Sequence, residues 1–130
     1  MYPREHKYTK QHEWVRLEDD RVVVGITDYA QDQLGDVVFL SVPEAGSQVS
    51  QFNKFGEIES VKAVSDLFSP VSGEVVEVNQ EAVAEPEVVN QDPHGKGWLI
   101  KVSLSRPGEL DALMSSAQYE DYLRTLPGPA

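Results

Sequence analysis

The 130-residue chain has no cysteine. That one absence excludes disulfide scaffolds, thiol nucleophiles, cysteine-ligated zinc and iron–sulfur clusters. Cations are also scarce: 11 Lys+Arg stand against 22 Asp+Glu, a formal net charge of −11. Such a chain cannot gain affinity by neutralising phosphates, so no nucleic-acid partner is expected. Residues 63–95 carry Asp66, Glu74, Glu77, Glu81, Glu85, Glu87 and Asp92 without a single Lys or Arg. A protein partner of that region is expected to present a basic surface.

Long apolar runs are missing as well. Val37-Val38-Phe39-Leu40 is among the longest, far short of the roughly 20 residues of a membrane-spanning helix. Behind its charges, the start Met1-Tyr2-Pro3-Arg4-Glu5 has no apolar stretch, so it does not read as a secretory signal. The expectation is a soluble cytoplasmic protein with no membrane partner; a processed chain of the mitochondrial matrix would look the same. His6, His12 and His94 are the only imidazoles and show no ligand spacing, so no metal site is expected. Ser60, Ser65, Ser69 and Ser72 sit in no nucleophile-elbow pattern. No catalytic residue is assigned, and a catalytic role for this chain alone is not expected.

What is present fits a single domain spanning 1–130. Trp14 to Leu17 and Val22 to Ile26 flank the acidic turn Glu18-Asp19-Asp20-Arg21 and read as a β-hairpin. Asp28 followed by Gln31 forms a capping-box pattern, and Gly35 supplies a stop, which predicts a two-turn helix between them. Val37 to Val42 reads as a buried strand ended by Pro43-Glu44-Ala45-Gly46. Short strands then follow at Gly56 to Ile58, Val64 to Phe68, Gly73 to Val78 and Trp98 to Leu104. Ala84 to Gly95 is rich in turn formers, and two short C-terminal helices are expected around Leu110–Met114 and Tyr119–Leu126. The resulting fold class is mainly β, a flattened barrel or sandwich with peripheral helices. A loose echo of Gly46–Val49 with Phe55–Ile58 in Gly73–Val76 with Pro86–Val89 is compatible with two similar halves.

The segment Gly56-Glu57-Ile58-Glu59-Ser60-Val61-Lys62-Ala63-Val64-Ser65-Asp66-Leu67-Phe68 carries the most information. With Lys62-Ala63 as a two-residue turn, Val61 faces Val64, Ser60 faces Ser65, Glu59 faces Asp66 and Ile58 faces Leu67, a self-consistent register. Two features oppose a purely structural role. Lys-Ala supplies no residue suited to the positive φ of a tight turn. Glu59 opposite Asp66 sets like charges face to face. Local rules broken without visible compensation mark a place where function is expected.

This segment resembles the modification site of glycine cleavage H-proteins, in which Glu-Ser-Val-Lys-Ala followed by Ser-Asp holds a lipoyl-lysine. Co-linear blocks extend the resemblance over nearly the whole chain. They are His12-Glu13-Trp14-Val15, Gly25 to Gln31 with Leu34 to Val38, Ser69 to Gly73 with Glu77-Val78-Asn79, and Val89 to Pro93 with Gly97-Trp98-Leu99. The resemblance implies a lipoyl-type hybrid of two antiparallel sheets and lipoate attached to Lys62. It also implies a monomeric shuttle that takes an aminomethyl group from the pyridoxal-phosphate enzyme glycine decarboxylase. The group passes to the tetrahydrofolate-dependent aminomethyltransferase, and the FAD enzyme dihydrolipoamide dehydrogenase reoxidises the arm. A lipoate-attaching enzyme is a fourth partner. Glu13 and Asp66 match positions that line the site of the folded-back arm, and Glu59 is a candidate for recognition. The chain departs from some members of the family at Gln11, where a Ser occurs, and Gln33, where a His occurs. Alternatives are a biotin carrier, disfavoured because Val61 and Ala63 replace the usual flanking methionines, a lipoyl domain of a 2-oxoacid dehydrogenase, and a lipoyl relay.

Overall fold

The computed structural model describes residues 2–126. Among these residues nine strands form two antiparallel sheets. The larger contains β1 (His6–Tyr8), β2 (Glu13–Glu18), β3 (Arg21–Ile26), β5 (Gln48–Val49), β8 (Gly73–Val78) and β9 (Ile100–Leu104), in the order β1-β2-β3-β9-β8-β5. The smaller is β4 (Val37–Ser41), β6 (Lys54–Ser60) and β7 (Val64–Phe68), in the order β4-β6-β7. The mainly β expectation holds, as two separate sheets rather than a closed barrel.

Strand β3 shows how the larger sheet is covered on both faces. Val22, Val24 and Ile26 enter the main core with Leu40, Ile58 and Leu67 of the small sheet. Val23, on the opposite face, joins Tyr8, Trp14 and Tyr119 in a second core. A strand covered on both faces reads as an unbroken apolar run, which Val22-Val23-Val24 is. The second core lies beneath α4 (Ser116–Arg124), whose start is closed by the reciprocal Ser115–Gln118 capping box. Gly25 permits close approach of the indole, since a Cβ there would lie 2.6 Å from the Trp14 ring.

Helix α1 (Asp28–Leu34) begins one residue earlier than the sequence pattern implies. Thr27 is the cap, accepting from the Ala30 N–H, while Asp28 bonds the Gln31 side chain. Gly35 ends the helix at φ +80°, the left-handed region that glycine enters without penalty. The turn-rich stretch also contains two five-residue helices, α2 (Gln80–Ala84) and α3 (Glu87–Gln91), absent from the sequence reading. Asn79 caps α2 and donates from its amide to the carbonyls of Lys96 and Trp98, while Ala82 and Val89 bury in the main core. Because Val88-Val89 lies in a helix while Phe55 to Ile58 lies in β6, the proposed two-half echo has no structural counterpart. Of the two C-terminal helices, the first is a 3₁₀ segment, Pro107–Ala112. No helix among the described residues is long and apolar enough to cross a membrane.

Candidate functional site

The β6–β7 hairpin differs from its expected register by two residues. Glu59 faces Val64, Ile58 faces Ser65 and Glu57 faces Asp66. A shift of two preserves which face each side chain occupies, so the apolar pattern alone could not distinguish the two registers. The connection is therefore a three-residue loop, Val61 to Ala63, and Ser60 at the end of β6 organises it. The Ser60 N–H donates to the Ala63 carbonyl at 2.8 Å, and its buried Oγ accepts from the N–H groups of Ala63 and Lys62 at 3.1 and 3.3 Å. A side chain that closes the loop removes the need for positive φ, and no residue of the loop has it. The Val61 N–H also donates to the Asp36 carbonyl at 3.0 Å, tying the tip to the α1–β4 connection.

Lys62 is exposed at this anchored tip and, among the described residues, joins no ion pair. Its stem lies back over the end of α1, where a Cβ at Gly35 would sit 3.5 Å from Lys62 Cε. Leu34, immediately before that glycine, lines a cleft of about 180 Å³. The cleft has an apolar wall of Ile26, Ala30, Leu34 and Ile58, and Glu13 and Asp66 also line it. Gln11 and Gln33, the two departures from the family pattern, border the same space.

Glu13 is 2% exposed. One carboxylate oxygen accepts from Thr9 Oγ1 at 2.8 Å and the other from the Phe68 N–H at 3.2 Å. Burial pushes its pKa up to about 8, against the opposing pull of the Thr9 and Phe68 hydrogen bonds. A tight turn sets it there: the His12 N–H bonds the Thr9 carbonyl, the Thr9 N–H bonds the Glu13 carbonyl, and His12 has φ +70°. Asp66, by contrast, is half exposed, and Lys54 Nζ lies 3.2 Å from it and 2.7 Å from Glu57. The like-charge pair expected between Glu59 and Asp66 is thus a Glu57–Asp66 pair bridged by a lysine.

The structure brings Glu13 and Asp66 to one cleft, and the Lys62 stem lies at Gly35, next to the cleft residue Leu34. Glu59 does not belong to the cleft; it stands exposed on the outer face of the small sheet. Sequence reasoning missed Ser60, Thr9 and Lys54. A serine two residues before a turn lysine was a readable signal for Ser60, whereas Thr9 and Lys54 act through contacts that local patterns do not show. Among the described residues there is no cluster of three or more potential metal ligands.

Residues 6–126 match the family described as glycine cleavage H-protein. Similar curated proteins include glycine cleavage system H proteins of Symbiobacterium thermophilum, 52% identical over 94% of this chain and 95% of the relative, and of Xanthobacter autotrophicus, 54% identical over 92% and 96%. The crystal structure of a glycine cleavage system H protein from Mycobacterium marinum superposes with a TM-score of 0.88 at 41% identity, covering 95% of this chain and 99% of that one.

Proposed function

This chain belongs to the glycine cleavage H-protein family, and we propose that Lys62 is the residue on which its single domain carries lipoate. Its role is that of the lipoyl carrier of the glycine cleavage system. The observation that supports Lys62 is its place: an exposed lysine on an anchored hairpin tip, beside a cleft with an apolar wall and two carboxylates. Those residues fit the prosthetic group. Ile26, Ala30, Leu34 and Ile58 suit an aliphatic chain, while Glu13 and Asp66 suit a cationic end by charge-assisted hydrogen bonds. When bound, lipoate supplies a dithiolane whose sulfurs take up and release the one-carbon amine. A cation in the cleft favours the ionised carboxylate, so Glu13 gives up a proton that burial otherwise holds on it at neutral pH.

Lysine and lipoyl chain together reach on the order of 14 Å, long enough to enter more than one active site while the tip stays fixed. The three enzymes served are glycine decarboxylase with pyridoxal phosphate, the tetrahydrofolate-dependent aminomethyltransferase and FAD-containing dihydrolipoamide dehydrogenase; a lipoate-attaching enzyme loads the carrier. The chain works as a cytoplasmic monomer and contributes positioning, not a catalytic residue.

Intact mass after exposure to lipoate and its attaching enzyme tests the assignment. Wild type should gain one lipoyl group and Lys62→Arg none, with folding stability changed by no more than about 0.5 kcal/mol. A lipoyl group on the Arg variant overturns it, and a biotinyl mass on wild type would move the chain to the rival carrier class.

A further inference from the structure

The side-chain amide of Asn90, on α3, directs all its hydrogen bonds into residues 31–37, the end of α1 and the start of β4. Its Oδ1 accepts from the Val37 N–H at 2.8 Å, and its Nδ2 donates to the Gly35 carbonyl and to Gln31 Oε1, both at 2.9 Å. The backbone groups fix which way the amide faces, because an N–H must meet its oxygen and a carbonyl its nitrogen. The bonds to Gly35 and Val37 therefore hold the peptides on either side of Asp36. A carboxylate in place of Asn90 accepts from Val37 but has no proton for Gly35, and an alanine does neither.

The Asp36–Val37 peptide carries the link to the lysine. Its N–H is held by Asn90, and its carbonyl accepts from the Val61 N–H at 3.0 Å, one residue before Lys62. In a planar trans peptide these two groups point in opposite directions, so fixing the N–H aims the carbonyl. Hydrogen bonds in such a series also polarise one another. A second route runs through Gly35. The carbonyl that Asn90 holds belongs to the residue beneath the Lys62 stem, where a Cβ would lie 3.5 Å from Cε. Glycine leaves this connection conformationally free, and the amide restricts it.

We infer that Asn90 is a positioning residue for the carrier arm: through the Asp36–Val37 peptide and Gly35 it sets where the Lys62 tip stands relative to the cleft that Leu34, Glu13 and Asp66 line. The inference rests on lipoate being carried by Lys62. An arm hinged at Lys62 enters the cleft across the end of α1, and Ala30, Gln33 and Leu34 of that helix form part of the lining. Asn90 fastens the helix end and the tip to one frame, since α3 is itself seated in the main core by Val89. Without the amide, tip and helix end move independently, and the cationic end of a loaded arm meets Glu13 and Asp66 less often.

Hydrogen exchange and NOE spectra of the full-length unlipoylated chain test the placement without the arm. In Asn90→Ala the Val61 N–H, which Asn90 does not touch, should exchange about tenfold faster, the effect of losing roughly one net hydrogen bond. The NOE between the Lys62 ε-protons and Gly35 should fade with it. Asn90→Asp keeps the Val37 bond and should show a smaller change in both signals. Val23→Ala, which lowers stability from the second core, should leave them in place. The arm itself is read on lipoylated carrier loaded with the aminomethyl group and separated from the enzymes. Water then slowly cleaves the S–CH2–NH3+ unit: the C–S and C–N bonds break, water supplies the oxygen of formaldehyde, and its protons go to sulfur and nitrogen. Formaldehyde release should be about tenfold faster in Asn90→Ala than in wild type, with Asn90→Asp between them. Unchanged Val61 exchange and NOE, equal formaldehyde release, or the same effects from Val23→Ala overturns the inference. If Asn90→Ala does not fold, Asn90→Asp decides by the same criteria. Lipoylation of Lys62→Arg would instead refute the attachment site, a failure kept apart from this one because Val61 exchange is read on a chain without lipoate.

Discussion

On the outward face of the six-stranded sheet, Tyr8, Trp14 and Val23 are fully buried beneath α4 and its Tyr119, whereas on the outward face of the three-stranded sheet Phe39 and Val64 stand more than half exposed. Both faces carry aromatic and β-branched residues; the difference is whether the chain supplies a cover. Under α4 the polar ends are also satisfied. Trp14 Nε1 donates to the Ile26 and Pro93 carbonyls, and the Tyr119 hydroxyl bonds Thr27 Oγ1 and His12 Nδ1. Apolar surface covered within the chain contributes folding stability, and the same surface left open is available to a partner. The large sheet is a platform, and the small one presents the lysine.

Substitutions should therefore separate the two regions. The largest effect is expected from Trp14→Ala, which empties the second core and leaves two carbonyls without their donor. About 3–5 kcal/mol of stability should be lost, measured by denaturant titration, while the folded fraction is still lipoylated at Lys62. Comparable loss of modification in folded molecules would mean that the two regions are not separable.

Glu13 lies where they meet. Its folded pKa, near 8, is above the unfolded value, so its contribution is fully present below the ordinary carboxylate range and is lost as pH rises through about 8. An upper bound is on the order of 4 kcal/mol between pH 5 and pH 9. Glu13→Gln should flatten that alkaline decline, and a decline of the same slope in the variant would show that Glu13 does not cause it.

His6 carries the opposite sign. It stacks on Trp14 at 4.4 Å between ring centroids, and its Nδ1 is buried without a hydrogen-bond partner. Burial, with smaller contributions from His94 and Arg16, lowers its pKa to about 4. Its contribution is present above the unfolded histidine value of about 6.5 and is lost as pH falls towards 4. The wild type should thus lose on the order of 3 kcal/mol across that interval. His6→Phe keeps an aromatic stack and should remove most of this acid sensitivity in thermal melts at pH 4, 5 and 7.

The smallest stability effect belongs to Glu59→Gln. Because Glu59 faces Val64 rather than Asp66, no directly opposed like-charge pair is relieved, and stability should stay within about 0.5 kcal/mol. The lipoyl-transfer rate should nevertheless fall, most at low salt where exposed charges are least screened. A normal rate at low ionic strength would remove Glu59 from recognition.

Strand alternation, the acidic β2–β3 turn, the helical spacing near the C-terminus and the Lys62 motif were all legible in the sequence, because each depends on residues a few positions apart. The absence of cysteine and the excess of carboxylates bounded the chemistry in the same direct way. The tertiary structure alone decided the hairpin register, since a two-residue slip leaves every side chain on its face and only the Ser60 and Asp36 contacts choose between the alternatives. It also decided that α2 and α3 form, because five-residue helices are marginal alone and are held by burial of Ala82 and Val89. The same holds for the charges. Glu13 is buried by a strand 55 residues away, and Lys54 reaches Asp66 only because β6 and β7 are paired. Sequence reports local preference, while burial and charge pairing are set by neighbours that the chain brings together only on folding.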